Sequence, residues 1–195
     1  MARDTQRGPV ATEKVTLRRR LRQRRRALNA AERLARDESA QAHLINTAAF
    51  QRAQGLALYR AFDGEVSTDH IARVAGHRRV LYARVVPDRP LTFVQPTGWR
   101  FTGHGLPVPE GPIHPLNQST LLVVPGVAFD PQGYRLGLGG GHYDRTLEQA
   151  LCPSVGLAYT FQLIPQLPRE AWDLPVDLVV TDSGTRPTDS EEIHP

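Results

Sequence analysis

Apolar residues recur at helical spacing from about residue 13 to 28, where Val15, Leu17, Leu21 and Leu28 stand among many arginines. That pattern predicts a first helix, preceded by a loose tail over residues 1–11. Asn29 with Glu32 has the spacing of a capping box, so a second helix is expected from Ala30 to about Asn46. Leu34, Ala35, His43 and Leu44 give it a modest apolar face. Continuous apolar runs at 56–59 and 80–82, the latter continued by Val85 and Val86, read as strands on either side of a helical stretch at 68–75. Strand, helix, strand in that order predicts a crossover joining a parallel pair. A further strand is expected at 91–94.

Residues 95–118, rich in Gly and Pro and without a repeat, predict a long irregular loop of the kind that more often serves function than idles. The strongest strand signal follows at 121–124. A Gly-rich stretch at 133–141 leads into a helix expected from His142 to about Leu151, and strands at 155–159 and 176–180 would close the sheet. Polar, Pro-containing residues 185–195 read as a disordered tail. The implied fold is α/β: a single three-layer domain over residues 12–184, its mixed, mostly parallel sheet covered by helices.

Composition narrows the classes. A chain of 195 residues with 40% hydrophobic positions can bury a proper core. No run approaches the roughly 18 consecutive apolar residues needed to span a bilayer, so no membrane partner is expected. The N-terminal residues lack the apolar core of a signal peptide, and Cys152 alone cannot form an internal disulfide; both favour the cytoplasm. A net charge of +4 favours anionic partners. Of the 24 Lys and Arg residues only Lys14 is a lysine, which fits either a task arginine cannot perform or chance survival on a solvated helix. Oligomeric state is open between monomer and homodimer.

The candidate chemistry lies at Arg135–Arg145. Glycines at 137, 139, 140 and 141 remove the Cβ atoms that would keep a ligand off the backbone. Amides there, with a helix N-terminus behind them, would suit phosphate oxygens, and Arg135 and Arg145 flank them. A tight turn needing glycine conformations would explain the same residues. A Walker A loop is excluded because no lysine is near, and a dinucleotide fingerprint fails at His142. A nucleic-acid-binding protein would explain the basic first helix, but no binding motif and no interleaved aromatics accompany the arginines, so no nucleic-acid partner is expected.

The run Pro125-Gly126-Val127-Ala128-Phe129-Asp130, then Gly133, Arg135-Leu136-Gly137, Gly139-Gly140-Gly141 and Tyr143-Asp144-Arg145 resembles the signature of the 5-formyltetrahydrofolate cyclo-ligase family. Lys14-x-x-Leu17-Arg18, Gly64-Glu65-Val66 with Thr68, Gly156-Leu157-Ala158-Tyr159 with Phe161-Gln162, and Trp172-Asp173-Leu174-Pro175-Val176-Asp177 with Thr181 extend the resemblance over about residues 13–182. It implies an enzyme using ATP and Mg²⁺ to convert a reduced folate, 5-formyltetrahydrofolate, to the 5,10-methenyl form. The γ-phosphoryl group would pass to the formyl oxygen, N10 would attack, and ADP and phosphate would be released.

The resemblance also implies roles. Lys14 and Arg18 would reach the ATP phosphates, acting in catalysis with Arg135 and Tyr143. Arg135, Leu136, Gly137, Leu138, Gly139, Gly140, Gly141, His142 and Tyr143 would cradle the nucleotide. Asp144 and Asp173 would hold magnesium, unless the first is only a helix-start carboxylate and the second a turn residue. Phe62, Glu65 and Ser67 would face the pterin, with His142 and Tyr143 as pocket wall; Glu65 could instead cap the following helix. Ser67 and Val108 replace residues that relatives usually carry as acidic or amide and as Glu, which leaves a non-catalytic relative as a rival. The remaining arginines of the first helix, Arg19, Arg20, Arg22 and Arg24 to Arg26, would form a solvated face or steer anions.

Overall fold

The structure, a computed structural model, describes residues 8–103 and 105–188. Along the chain run α1 (Pro9–Arg26), α2 (Ala30–Ile45), α3 (Ala48–Arg52), β1 (Gly55–Leu58), α4 (Asp69–Arg73), β2 (Arg79–Arg84), β3 (Thr92–Val94), β4 (Gly98–Phe101) and β5 (Pro107–Glu110). Then come β6 (Thr120–Pro125), β7 (Ala128–Phe129), β8 (Arg135–Leu136), α5 (His142–Leu147), β9 (Ser154–Ala158), β10 (Leu178–Thr181) and β11 (Gly184–Pro187).

Seven strands form one sheet in the order β11-β10-β9-β6-β1-β2-β3. The five from β10 to β2 are parallel, and β11 and β3 add antiparallel edges. The expected crossover is present: β1 and β2 pair in parallel, with α4 between them in sequence. Because side chains alternate faces along a strand, Leu121 and Val123 pack into the core under α2 to α4, while Leu122 and Val124 pack with Phe129, Tyr143 and Leu147 on the other side. Both faces of these central strands are covered, hence their continuous apolar runs. The sequence reading of a mixed, mostly parallel α/β sheet therefore holds. Among the described residues no helix is long and apolar enough to cross a membrane.

Asn29 caps α2 as its spacing predicted, accepting from the Glu32 amide at 2.9 Å while Glu32 accepts from the Asn29 amide at 3.1 Å. Several expectations need correction. Helix α1 starts at Pro9, inside the expected tail, because Pro suits the first helical turn; residues 1–7 lie outside the described residues. The stretch 95–118 is not irregular throughout: β4 and β5 pair as an antiparallel hairpin, Gly98 opposite Glu110. Strand β2 ends at Arg84, short of Val85 and Val86, and α5 ends at Leu147 rather than near Leu151. Residues 184–187 form β11 on β10, so the expected tail at 185–195 begins as an edge strand; residues 189–195 lie outside the described residues.

The basic face of α1 also differs from expectation. Its core-facing stripe is Lys14, Leu17, Leu21 and Arg25, and Arg25 is fully buried. Arg22, Arg25 and Arg26 all donate to the Asp63 carboxylate, so they are paired rather than free to steer anions, although Arg26 keeps an exposed side chain and Arg22 is half-buried.

Candidate functional site

Strand β6 delivers the chain to the C-terminal edge of the parallel sheet, where ligands of open α/β folds bind. Past it, the β7–β8 hairpin packs Val127, Ala128 and Leu136 against Leu17 and Leu21 of α1. The Gly-rich loop leaves this hairpin and enters α5. Gly139 (φ 106°) and Gly141 (φ 63°) occupy left-handed backbone that side-chain-bearing residues rarely adopt. No amide from Gly137 to Gly141 donates to a backbone carbonyl among the described residues.

That loop borders a cavity of about 260 Å³ whose other walls include Lys14 and Arg18 of α1, Glu65, Leu91, and Glu170, Trp172 and Asp173 from the segment before β10. A second hollow of about 420 Å³ shares Gly139, Gly140, Gly141, Asp144 and Trp172 with it. Arg18 Nε donates to the Gly137 carbonyl at 2.8 Å, tying helix to loop. Lys14 Nζ donates to Glu170 Oε2 at 2.7 Å and to Asp173 Oδ2 at 2.5 Å. Burial alone would lower the ammonium pKa, but these two carboxylates outweigh it and hold the pKa above the usual lysine value.

Arg135 is buried, donates to Asp144 Oδ1 at 2.9 Å, and lies 5.6 Å from the centre of the Tyr143 ring. Its Nε is buried with no partner. Burial pushes the Tyr143 hydroxyl well above the usual tyrosine range, with the nearby Glu65 charge adding to it. Glu65 reaches the cavity from the loop after β1, and its Oε2 accepts from the Phe62 amide at 3.1 Å. Burial raises this carboxyl to about 7, against the pull of Arg25. His142 Nδ1 lies 3.2 Å from Arg145 and 3.4 Å from the Arg89 carbonyl.

The structure thus brings Lys14, Arg18, Glu65, Asp173 and every residue from Arg135 to Asp144 to one cavity. Two expected site residues are not brought there. Phe62 has an exposed ring that does not line the cavity, and the Ser67 hydroxyl accepts from the Asp69 amide at 3.1 Å, at the start of α4. The alternative capping role for Glu65 is not what the structure places: its bond is to Phe62, within the loop before α4. Sequence reasoning missed Glu170 and gave Trp172 no role. The Glu170–Asp173 spacing was the available signal, since a turn there sets both carboxylates on one cation, with the Asp173 amide donating to the Glu170 carbonyl at 3.0 Å.

The cavity is not a simple basic hole. Three cations, Lys14, Arg18 and Arg135, face four carboxylates, Glu65, Asp144, Glu170 and Asp173. A polyphosphate entering such a balanced site needs added positive charge. Among the described residues no three His, Cys, Asp or Glu side chains form a complete metal cage. One or two carboxylates together with phosphate oxygens and water are the usual magnesium environment, so Asp144 and Asp173 fit that ion as partial ligands.

Comparison with known proteins shows the family. Residues 10–182 match the model of the "5-formyltetrahydrofolate cyclo-ligase family". The chain is 34% identical to the 5-formyltetrahydrofolate cyclo-ligase of Haemophilus influenzae, over 82% of this chain and 93% of that one. It is 32% identical to the Escherichia coli K12 protein of the same name, over 84% and 97% respectively. The solved structure of Aquifex aeolicus 5,10-methenyltetrahydrofolate synthetase superposes with a TM-score of 0.80 at 32% identity, covering 93% of this chain and 96% of that one. Sequence and fold agree, and the chain belongs to the 5-formyltetrahydrofolate cyclo-ligase family of enzymes.

Proposed function

We propose that this protein closes 5-formyltetrahydrofolate to 5,10-methenyltetrahydrofolate at the expense of ATP. The observation that carries the reading is the shared cavity: glycine amides that donate to no backbone carbonyl among the described residues border one part of it with three cations, and the half-buried Glu65 borders another.

The N5-formyl group is an amide, so its carbon is a weak electrophile and its oxygen a poor leaving group. Attack of that oxygen on the γ-phosphorus of ATP releases ADP and leaves an O-phosphorylated iminium at N5. N10 then attacks the activated carbon, loses its proton, and phosphate departs with the former formyl oxygen. Catalysis of such transfer is mainly positioning and charge neutralisation. The amides from Gly137 to Gly141 cradle phosphate oxygens, Arg18 braces the loop through Gly137, and Lys14 supplies a compact charge. Arg135 and Tyr143 form the wall beside the reacting groups, with His142 next to them at the edge of the pterin pocket. Asp144 and Asp173 would hold Mg²⁺, which when bound supplies the positive charge that the balanced cavity lacks. Glu65 hydrogen-bonds the aminopyrimidine edge of the pterin, for which an acceptor or a neutral acid both serve.

The test is direct: purified protein with 5-formyltetrahydrofolate and Mg-ATP, followed by methenyl absorbance and by ADP and phosphate release. Product formed in step with ADP supports the reading. Folded protein that binds ATP yet makes no methenyl product refutes it and favours a non-catalytic relative.

A further inference from the structure

Helix α1 touches the cavity near its N-terminal end and a second structure near its C-terminal end. From Lys14 to Arg25 its core-facing stripe spans roughly 16 Å at 1.5 Å per residue. The second structure is the turn at Asp63 and Gly64, two residues before Glu65. Asp63 does not line the cavity; its side chain is 3% exposed and its backbone is left-handed at φ 53°. The carboxylate accepts from Arg22 Nε at 2.6 Å, from Arg25 Nη2 at 3.1 Å, and from Arg26 Nε. The Asp63 carbonyl accepts from Arg25 Nε at 2.8 Å. Arg33 of α2 closes the clamp, donating to the Gly64 carbonyl at 3.0 Å and to the Arg25 carbonyl at 2.9 Å. Gly64 has φ 75°, and a Cβ there would lie 2.6 Å from Arg33 Nη1, so the turn admits little variation.

Exposed ion pairs contribute little to stability, and burying a carboxylate is costly unless it is well paired. Three arginines from one helix on a single buried carboxylate fix geometry more than they stabilise. We propose that Asp63 is a positioning residue: through it α1 sets the place of Glu65 relative to Lys14 and Arg18 on the same helix. One rigid element thereby registers the folate side of the cavity against the nucleotide side. This inference rests on the function proposed above.

Lys14 is held by Glu170 and Asp173 and the Gly-rich loop is tied to Arg18, whereas Glu65 follows Asp63 by two residues in the same turn. Releasing the turn therefore weakens folate binding selectively. Asp63→Asn isolates the charge, because Asn keeps the size and also tolerates left-handed backbone. In the full chain, the dissociation constants of 5-formyltetrahydrofolate and of a non-hydrolysable ATP analogue with magnesium are measured separately by calorimetry. Since misplacement by an ångström can cost about a hundredfold, the expected result is folate binding weakened at least about tenfold, with nucleotide binding changed less than about twofold. A residue that only stabilises the fold would weaken both together or neither, and either result overturns the proposal. If Asp63→Asn does not fold, the double variant Arg22→Gln, Arg26→Gln keeps the buried Arg25 pair and should show the same split at about threefold or more; no split refutes the inference. Wild-type protein that makes no methenyl product removes the function and this inference together. Product from the wild type with unchanged folate affinity in the variant removes this inference alone.

Discussion

Glu65 offers a test on stability that needs no substrate. Its carboxyl is raised from 4.5 to about 7, chiefly by burial. At about 1.36 kcal/mol per pKa unit, ionised Glu65 costs the folded state on the order of 3 kcal/mol, less whatever solvent relaxation recovers. Between pH 4.5 and about 7 the folded chain holds this proton after the unfolded chain has released it, so stability falls as pH rises through that window. Above it the penalty is complete and constant; below it there is none. Glu65→Gln cannot ionise, and its amide oxygen can still accept from the Phe62 amide. The variant is therefore expected to match wild type near pH 4 and to exceed it by about 1–3 kcal/mol at pH 8, several degrees of Tm in a chain of this size. Urea denaturation of both proteins from pH 4 to 8 measures the difference. A stability difference independent of pH would refute burial as the cause. Folate affinity should fall in the same variant, the usual cost of relieving strain at a site.

Lys14→Arg should lower kcat/KM at least about tenfold, because a planar guanidinium cannot take the place of an ammonium that meets Glu170 and Asp173 together. The exposed neighbour Arg20 gives the control: Arg20→Ala should stay near wild type in steady-state kinetics, and an equal loss there would mean a diffuse basic patch. Asp144→Asn should raise the Mg²⁺ needed for half-maximal turnover several-fold while the fold survives; an unchanged magnesium titration returns Asp144 to service as the partner of Arg135. Gly156→Ala should destabilise the fold by about 1–3 kcal/mol by overpacking, since the new Cβ would lie 2.3 Å from the Phe129 ring; thermal unfolding reads it.

The sequence alone determined the central strands, the second helix and the Gly-rich loop. Continuous apolar runs at β1, β2, β6 and β9 announce strands buried on both faces, and Asn29 with Glu32 announces α2, because these signals are local. The Gly-rich loop was legible for the same reason: the absence of side chains is itself written in the sequence. The β4–β5 hairpin was hidden because Gly and Pro dominate its strands, and β11 because an edge strand draws its pairing from β10 rather than from its own hydrophobic pattern. Charge pairing was hidden more deeply. Nothing in the run of arginines from 18 to 26 shows that Arg25 is buried and grips Asp63, nor that Lys14 lies between Glu170 and Asp173 about 156 residues away. Propensity and periodicity are set by neighbours in sequence. Whether a charge is solvated or buried, and against what, is set by distant segments that only the folded chain brings within a few ångströms.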